Sequence, residues 1–319
     1  MPLDVLRSAE EWKTRLGSSG RRCAVTIGNF DGCHRGHQQI LRSVVERART
    51  SGALAAVLTF FPHPSRLLRP LEAAALLGTL DQRIAAIEAM GVDAVLVLPF
   101  NRQLASVGPE EFVERILVDA MAAQAVLVGG NFRFGRGGAG DVRLLSQLGN
   151  RLGFAAEVVP PVTENGVVIS STAIRAAIRD GHVEDARRML GRPYGLEGQI
   201  RTGTGQGRKL VVPTLNLSTE QEVLPKNGVY ATEAVLKGKT YRAATNVGTR
   251  PTFDGSRVTI ESYLFDFDEN VTGGRFEVRF WQRLRDERKF SGPAELREQV
   301  VKDTERAREF FQAAGTNKV

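Results

Sequence analysis

From residue 23 to about residue 160, short aliphatic runs alternate with segments of helical spacing, and this alternation limits the possible folds of the 319-residue chain more than any other feature. The runs, at 23–27, 53–60, 93–99, 125–129 and 154–159, are β-branched or aliphatic and continuous, as strands buried on both faces require. Between them, a helical pattern at 34–50 stops at Gly52 and one at 80–90 stops at Gly91. A third, at 109–121, opens on Pro109 followed by two glutamates, and Thr79 with Gln82 can form a capping box. The expectation is an α/β fold with a doubly wound sheet of five parallel strands, whose ligand lies beyond the strands' carboxyl ends. A last helical segment, 171–191 with a break at Gly181, closes this half.

Beyond it the pattern changes to strands separated by turn residues, at 198–202, 213–217, 228–236, 241–247, 258–267 and 276–284. Lys237-Gly238-Lys239 reads as a hairpin connection. These runs predict a six-stranded antiparallel β-barrel, with Ser291 capping a closing helix from 293 to about 314 that packs through Leu296, Val300 and Ala307. The two domains are expected at 1–186 and 187–319.

A chain of this length with 42% hydrophobic residues can bury two cores. The first residues lack a continuous apolar h-region, and no stretch approaches the 18 or so apolar residues that span a bilayer, so a cytoplasmic, membrane-free protein is expected. Cys23 and Cys33 provide neither a disulfide framework nor a metal cluster. A formal charge of +7 suits anionic partners, phosphorylated metabolites or nucleic acid. The basic residues are scattered among acidic ones and aromatics make up only 7%, which argues for small-molecule substrates and against nucleic acid. A monomer or weak homo-oligomer is expected.

The first predicted strand runs into Thr26-Ile-Gly-Asn-Phe-Asp-Gly-Cys-His-Arg-Gly-His37, where Gly28 and Gly32 permit a tight turn and His34 opens a helix. Helical spacing puts His34 and His37 on one face. The free N–H groups and positive dipole end of a first helical turn favour an anion, and two imidazoles add donors there. A single histidine would merely decorate a helix start, but two of the chain's four fall in this one turn. A second candidate anion element is Ile169-Ser-Ser-Thr-Ala-Ile-Arg175, where Ser170, Ser171 and Thr172 precede a helix and Arg175 projects from the same face as Ser171 and Thr172. By itself it matches any Ser/Thr-capped helix.

In the second half, Gly203, Gly205 and Gly207 form a Gly-rich turn before Pro213-Thr-Leu-Asn216. Thr214 and Asn216 share one strand face and offer the hard oxygens that Mg²⁺ prefers, although a solvent-facing strand side looks the same. Glu261 lies in Thr259-Ile-Glu-Ser-Tyr-Leu-Phe-Asp-Phe267, alternating with Tyr263, Phe265 and Phe267, where an unpaired carboxylate is costly unless a ligand engages it. An edge glutamate, or an ion pair with Arg250 or Arg257, is the plainer reading.

G-x-F-D-G-x-H-x-G-H resembles the signature of the α/β-phosphodiesterase nucleotidyltransferases, in the form shown by FAD synthetases. Phe60-Phe-Pro-His-Pro64, Gly129-Gly-Asn-Phe-Arg-Phe-Gly135 and SSTxIR follow in that family's order, and GRxxxxPTxN, PKNGVY, NVGTRPTF and ESYLFDF resemble bacterial riboflavin kinase modules. The resemblance, from about 24 to 311, is to the two-domain prokaryotic riboflavin kinase/FAD synthetases. It implies that riboflavin and ATP give FMN, that FMN and a second ATP give FAD, and that Mg²⁺ takes part. It implies catalytic roles for His34, His37, Arg175 and Glu261, with the imidazole corner and the SSTxIR element closing on one triphosphate. ATP for adenylyl transfer would meet Gly28, Asn29, Phe30, Asp31 and Gly36, together with Asn131, Ser170, Ser171 and Thr172. The flavin would meet Phe61, His63, Pro64 and Phe132, although His63 can equally serve turn packing.

In the kinase half the resemblance implies ATP or flavin contacts from Gly203, Gly205, Gly207, Arg208, Pro213 and Asn246, and magnesium ligands in Thr214 and Asn216. Val211-Val-Pro-Thr-Leu-Asn216 stands where the family reads G-F-P-T-A-N, and Tyr263 replaces a frequent His. Loss of that Gly and the bulk of Leu215 predict a slower kinase or weaker flavin binding. The competing functions are a nucleotidyltransferase for another phosphorylated acceptor and an RNA-binding module.

Overall fold

The computed structural model describes residues 3–17, 20–201, 214–252, 255–269, 271, 273–288 and 290–315. Contacts divide the chain into two units, Met1–Ser170 and Ser171–Val319.

The first unit opens with β1 (Asp4–Leu6) and α1 (Ala9–Arg15), then β2 (Cys23–Ile27), α2 (Arg35–Ser51), β3 (Leu54–Phe61), α3 (Pro64–Leu68), α4 (Leu80–Glu88) and β4 (Ala94–Pro99). It continues with α5 (Arg102–Ser106), α6 (Pro109–Phe112, widening into a π-helical stretch Val113–Val118), β5 (Ala123–Gly129), α7 (Val142–Leu152), β6 (Ala155–Val159) and a small hairpin, β7 (Thr163–Glu164) with β8 (Val167–Val168). Six parallel strands line up in the order β1-β4-β3-β2-β5-β6, so the predicted five gain an edge strand. β1 has only three residues, one of them aspartate, and leaves no apolar run to read. Every residue of β2 is buried, as is expected of a central strand covered on both faces. One core cluster joins Val25, Leu58 and Leu96 to Phe112 and Leu148, and the other joins Ala24, Val57 and Val95 to Leu41 and Val44 of α2.

The order reverses at β2, with β3 on one side and β5 on the other, so the turn after β2 sits at a topological switch point. α2 ends on Gly52 in the left-handed region, and Thr79 and Gln82 make the expected capping box at α4. α7 went unread in the sequence, although Asp141 caps it, Gly153 ends it and Leu145 and Leu148 bury one face.

The second unit begins with α8 (Ser171–Asp180) and α9 (Val183–Leu190), broken near Gly181 as expected. There follow β9 (Tyr194–Arg201), β10 (Leu215–Ser218), β11 (Gly228–Leu236), β12 (Lys239–Thr252), β13 (Gly255–Leu264), β14 (Arg275–Arg285) and α10 (Pro293–Gly315). The strands close into an antiparallel barrel in the order β10-β13-β12-β11-β14-β9. Lys237 and Gly238 both have positive φ, the backbone that a two-residue hairpin needs. α10 covers an outer face of the barrel through Ala307 and Phe311, which pack with Phe265, Ala231 and Ala244.

Candidate active sites

The corner between β2 and α2 is built locally. Gly28 donates its N–H to the carbonyl of Leu58, and the chain then turns through Phe30, Gly32 and Cys33, all at positive φ, with the Cys33 N–H closing on the Phe30 carbonyl at 2.9 Å. Phe30 is buried, and a side chain on Gly28 would press on its ring at 3.2 Å. Cys33 is buried beneath the turn. His34 then caps α2, its Nδ1 accepting the backbone N–H of His37 at 3.3 Å. That bond leaves the proton of a neutral His34 on Nε2. The two imidazoles stack at 3.7 Å between centroids, 18° from parallel, with Phe30 against His37 at 5.2 Å. Gly36 makes room for this stack, since a Cβ there would lie 3.1 Å from the His34 ring.

His37 as a residue is half-buried, and its Nδ1 is buried without a hydrogen-bond partner. Burial, then His34, then Arg83 hold its pKa well below the usual imidazole range, so His37 is neutral at neutral pH. Thr26 Oγ1, Asn29 Oδ1 and Arg83 Nε are also buried and unpartnered, so four of the seven such atoms among the described residues belong to this strand end, its turn, the first turn of α2 and α4. Native proteins seldom leave buried polar atoms unpaired, and their concentration at one corner marks a place for a polar ligand.

Asp31 faces inward. It is 3% exposed and accepts the N–H of Leu77 at 2.9 Å, which anchors the segment leading to α4. His63 caps α3, accepting from the Ser65 N–H at 3.2 Å, while Phe61 ahead of it is exposed and Pro64 opens the helix. Asn131 is exposed in the turn after β5, and Phe132 stacks on Phe134 at 5.5 Å. The carbonyl of Ile169 lies 3.8 Å from where a Gly36 Cβ would stand, so the chain entering Ser170 passes the imidazole corner. Ser171, Thr172 and Arg175 follow in the first turns of α8, with Arg175 buried and Thr172 exposed. Arg83 escaped the sequence reading. Its signal was there: a charged residue three positions after Leu80 and four before Ile87, on the apolar face of α4.

In the barrel the site is built by register. Asn216 of β10 pairs with Glu261 of β13, and Glu261 pairs on its other side with Asn246 of β12, so the three side chains form one row on one face. Burial alternates about this row: Leu215, Leu217, Ser262 and Thr245 point into the barrel, while Asn216, Glu261 and Asn246 point outward. A cavity of about 310 Å³ opens beside them, lined by Thr214, Asn246, Glu261 and Tyr263 on the strands and by Leu296 and Val300 of α10. Arg285 and Asp303 also line it, joined by three charge-assisted hydrogen bonds, Nε to Oδ1 at 2.9 Å, Nε to Oδ2 at 3.1 Å and Nη2 to Oδ2 at 2.6 Å. Gln299 donates to the same carboxylate. This buried pair also went unread, because nothing in sequence links a strand end to a helix 18 residues later.

Two family models divide the chain, FAD synthetase over residues 17–173 and riboflavin kinase over 190–311. Among curated relatives, the bifunctional riboflavin kinase/FMN adenylyltransferase of Escherichia coli K12 is 36% identical over 91% of this chain and 93% of its own length. The proteins of the same description from Bacillus subtilis 168 and Pseudomonas fluorescens are 35% and 37% identical, each with 93% of its length covered. The chain belongs to the bifunctional riboflavin kinase/FMN adenylyltransferase family. A solved structure described as a macrolide-efflux protein from Streptococcus pneumoniae shares the fold at a TM-score of 0.86 and 29% identity, covering 97% of this chain and 99% of that one. Among the described residues, no helix is long and apolar enough to cross a membrane.

Within the riboflavin kinase/FMN adenylyltransferase family match, the first model takes in the imidazole corner and Ser170 to Ala173, ending two residues short of Arg175, and the second runs from before Thr214 to residue 311 in α10. Gly203, Gly205, Gly207, Arg208 and Pro213, with Val211 and Val212, lie outside the described residues. Leu215 is buried against the barrel interior opposite Ser262, so its bulk falls on the core side of the strand and not on the row that carries Glu261.

Proposed function

We propose that this chain phosphorylates riboflavin with ATP at the barrel cavity and transfers AMP from a second ATP to the resulting FMN at the β2–α2 corner. The first step forms a bond between riboflavin's terminal ribityl oxygen and the γ-phosphorus of ATP and releases ADP. Glu261 takes the hydroxyl proton, and its place on the row that lines the cavity, between Asn216 and Asn246, supports that role. Mg²⁺ would neutralise charge on the ATP phosphates there. Thr214 and Asn216, on the row beside Glu261, would hold it through neutral oxygens. Asn246 and the Gly203–Arg208 turn would contact nucleotide or flavin.

In the second step an FMN phosphate oxygen attacks the α-phosphorus of ATP and pyrophosphate leaves. The nucleophile is already an anion, so no base is needed. The protein has to position two mutually repelling anions and stabilise the charge that develops between them. His34 and His37 donate N–H groups to the α-phosphoryl oxygens. Ser170, Ser171, Thr172 and Arg175 bind the remaining phosphates, and Gly28 and Gly36 keep the backbone clear of them. Asn29, whose buried Oδ1 lacks a partner, and Asn131 accept or donate to the nucleotide, while Phe61 and Phe132 offer ring faces to the flavin. Asp31 and His63 hold their loops in shape. The activity is cytoplasmic, needs no nucleic acid and is carried by a monomer or weak homo-oligomer.

The observation that carries the reading is the gathering of unpartnered polar atoms around a stacked imidazole pair at the sheet's switch point. Incubating the pure protein with riboflavin and MgATP and separating the yellow products tests it. FMN followed by FAD is expected. FAD appearing only when FMN is supplied removes the kinase half of the proposal, and pyrophosphate release that FMN does not stimulate points to another acceptor.

A further inference from the structure

The phosphate corner contains a buried cation that no motif announces. Arg83, 4% exposed on α4, donates from Nη1 to Thr59 Oγ1 at 3.4 Å and to the Phe60 carbonyl at 3.2 Å, at the end of β3 just ahead of Phe61 and His63. Its charge attracts Asp31, which is itself buried in the turn that leads to the histidines and holds Leu77. The same charge acts on His37. Its Nε is buried without a partner. Taking a guanidinium out of water is costly unless charges and acceptors replace the water, and burial pulls this one below its ordinary pKa in spite of Asp31. An apolar side chain would tie α4 to the sheet at less cost, so stability alone does not account for an arginine here. From one rigid group it bonds the end of β3 at Thr59 and Phe60, and its charge acts on Asp31 in the FDG turn and on His37.

We propose that Arg83 is a positioning residue for adenylyl transfer, holding the turn that carries His34 and His37 at a fixed separation from the β3 end that leads to Phe61 and His63. This rests on the function proposed above. Those two segments flank the place where nucleotide and acceptor must meet in line, and displacement by a fraction of an ångström there is felt in the rate of the step more than in binding.

The test uses the intact chain with Arg83→Gln and Arg83→Lys. FAD formation from FMN and MgATP is resolved into kcat and KM, and the ¹⁵N-imidazole signal of His37 is titrated. Arg83→Gln is expected to lower kcat for adenylyl transfer by about 100-fold, with the KM values for ATP and FMN changed far less. The His37 titration should move upward once the neighbouring charge is gone. Arg83→Lys keeps the charge without the planar fork; it should leave the titration in place and recover part of kcat, to about tenfold below the starting chain. Phosphorylation of riboflavin should not change. Wild-type kcat in Arg83→Gln, or a deficit that disappears on cooling well below its melting range, makes the residue a stability tie and overturns the proposal. If Arg83→Gln does not fold, Arg83→Lys decides, and a wild-type kcat there overturns it. Failure of the unsubstituted chain to make FAD from FMN sinks the functional reading and the proposal together, whereas an active chain with an indifferent Arg83→Gln removes the proposal alone.

Discussion

The β2–α2 corner and the barrel cavity reach chemical order by opposite routes. In the first unit, twelve consecutive residues from Thr26 to His37 create the turn, cap the helix and stack the imidazoles, so the donors are set by local backbone geometry. In the second, Asn216, Glu261 and Asn246 come from three strands and meet only because the barrel closes in one register. A locally built site should tolerate distant changes and fail at small local ones. A register-built site should respond to anything that loosens the ladder, including residues on its far side.

The largest expected effect isolates the barrel row. Glu261→Gln keeps the shape of the row and removes the proton acceptor, so riboflavin phosphorylation should fall by roughly 10²–10⁴-fold while FAD formation from supplied FMN is unchanged. Equal loss of both activities would break the separation of the two sites. Next, Gly36→Ala should lower adenylyl transfer by about tenfold without altering phosphorylation, because a methyl 3.1 Å from the His34 ring must push the stack aside by a few tenths of an ångström. An unaffected rate would show that the stack is not the reacting geometry.

Smaller still, Ser262→Ala removes one member of a buried hydroxyl ladder, Thr232 to Thr245 at 2.6 Å and Thr245 to Ser262 at 2.8 Å, which lies inside the barrel behind Glu261. Its loss should lower the stability of the unit by about 1 kcal/mol and raise the KM for riboflavin, as read by thermal melting and kinase kinetics. Kinetics identical to wild type would mean that register is over-determined elsewhere. The smallest effect concerns pH. His37 has a folded pKa below its unfolded value, so the unfolded chain binds the extra proton first and stability declines as pH drops below about 6.5 toward the folded pKa. His37→Gln should flatten that decline in melting temperature, and an unchanged slope would assign it to other groups.

The same contrast explains what could be read in the chain before the fold was known. Strand runs, the Gly52 and Gly91 stops, the capping box at Thr79 and the imidazole corner are local, and their residue types state their conformations. β1 was invisible because three edge residues need no apolar pattern, and α7 because Gly149 and the glycines flanking it mask a leucine stripe that is nonetheless present. Glu261 could be singled out as an odd carboxylate on an aromatic face, but its neighbours Asn216 and Asn246 depend on register, which a sequence states only through the closed sheet. Arg83 and the Arg285–Asp303 pair lay hidden for the same reason, since their partners sit 24 and 18 residues away.

The proposed division of labour has the turn-built corner moving AMP and the register-built row moving phosphate. Supplying the His37→Ala chain with riboflavin and MgATP tests it most directly. FMN should accumulate at the wild-type rate while FAD formation drops by about 10²–10³-fold, the loss expected when a positioned donor is removed. FAD appearing at an undiminished rate, or FMN failing to form, would contradict it.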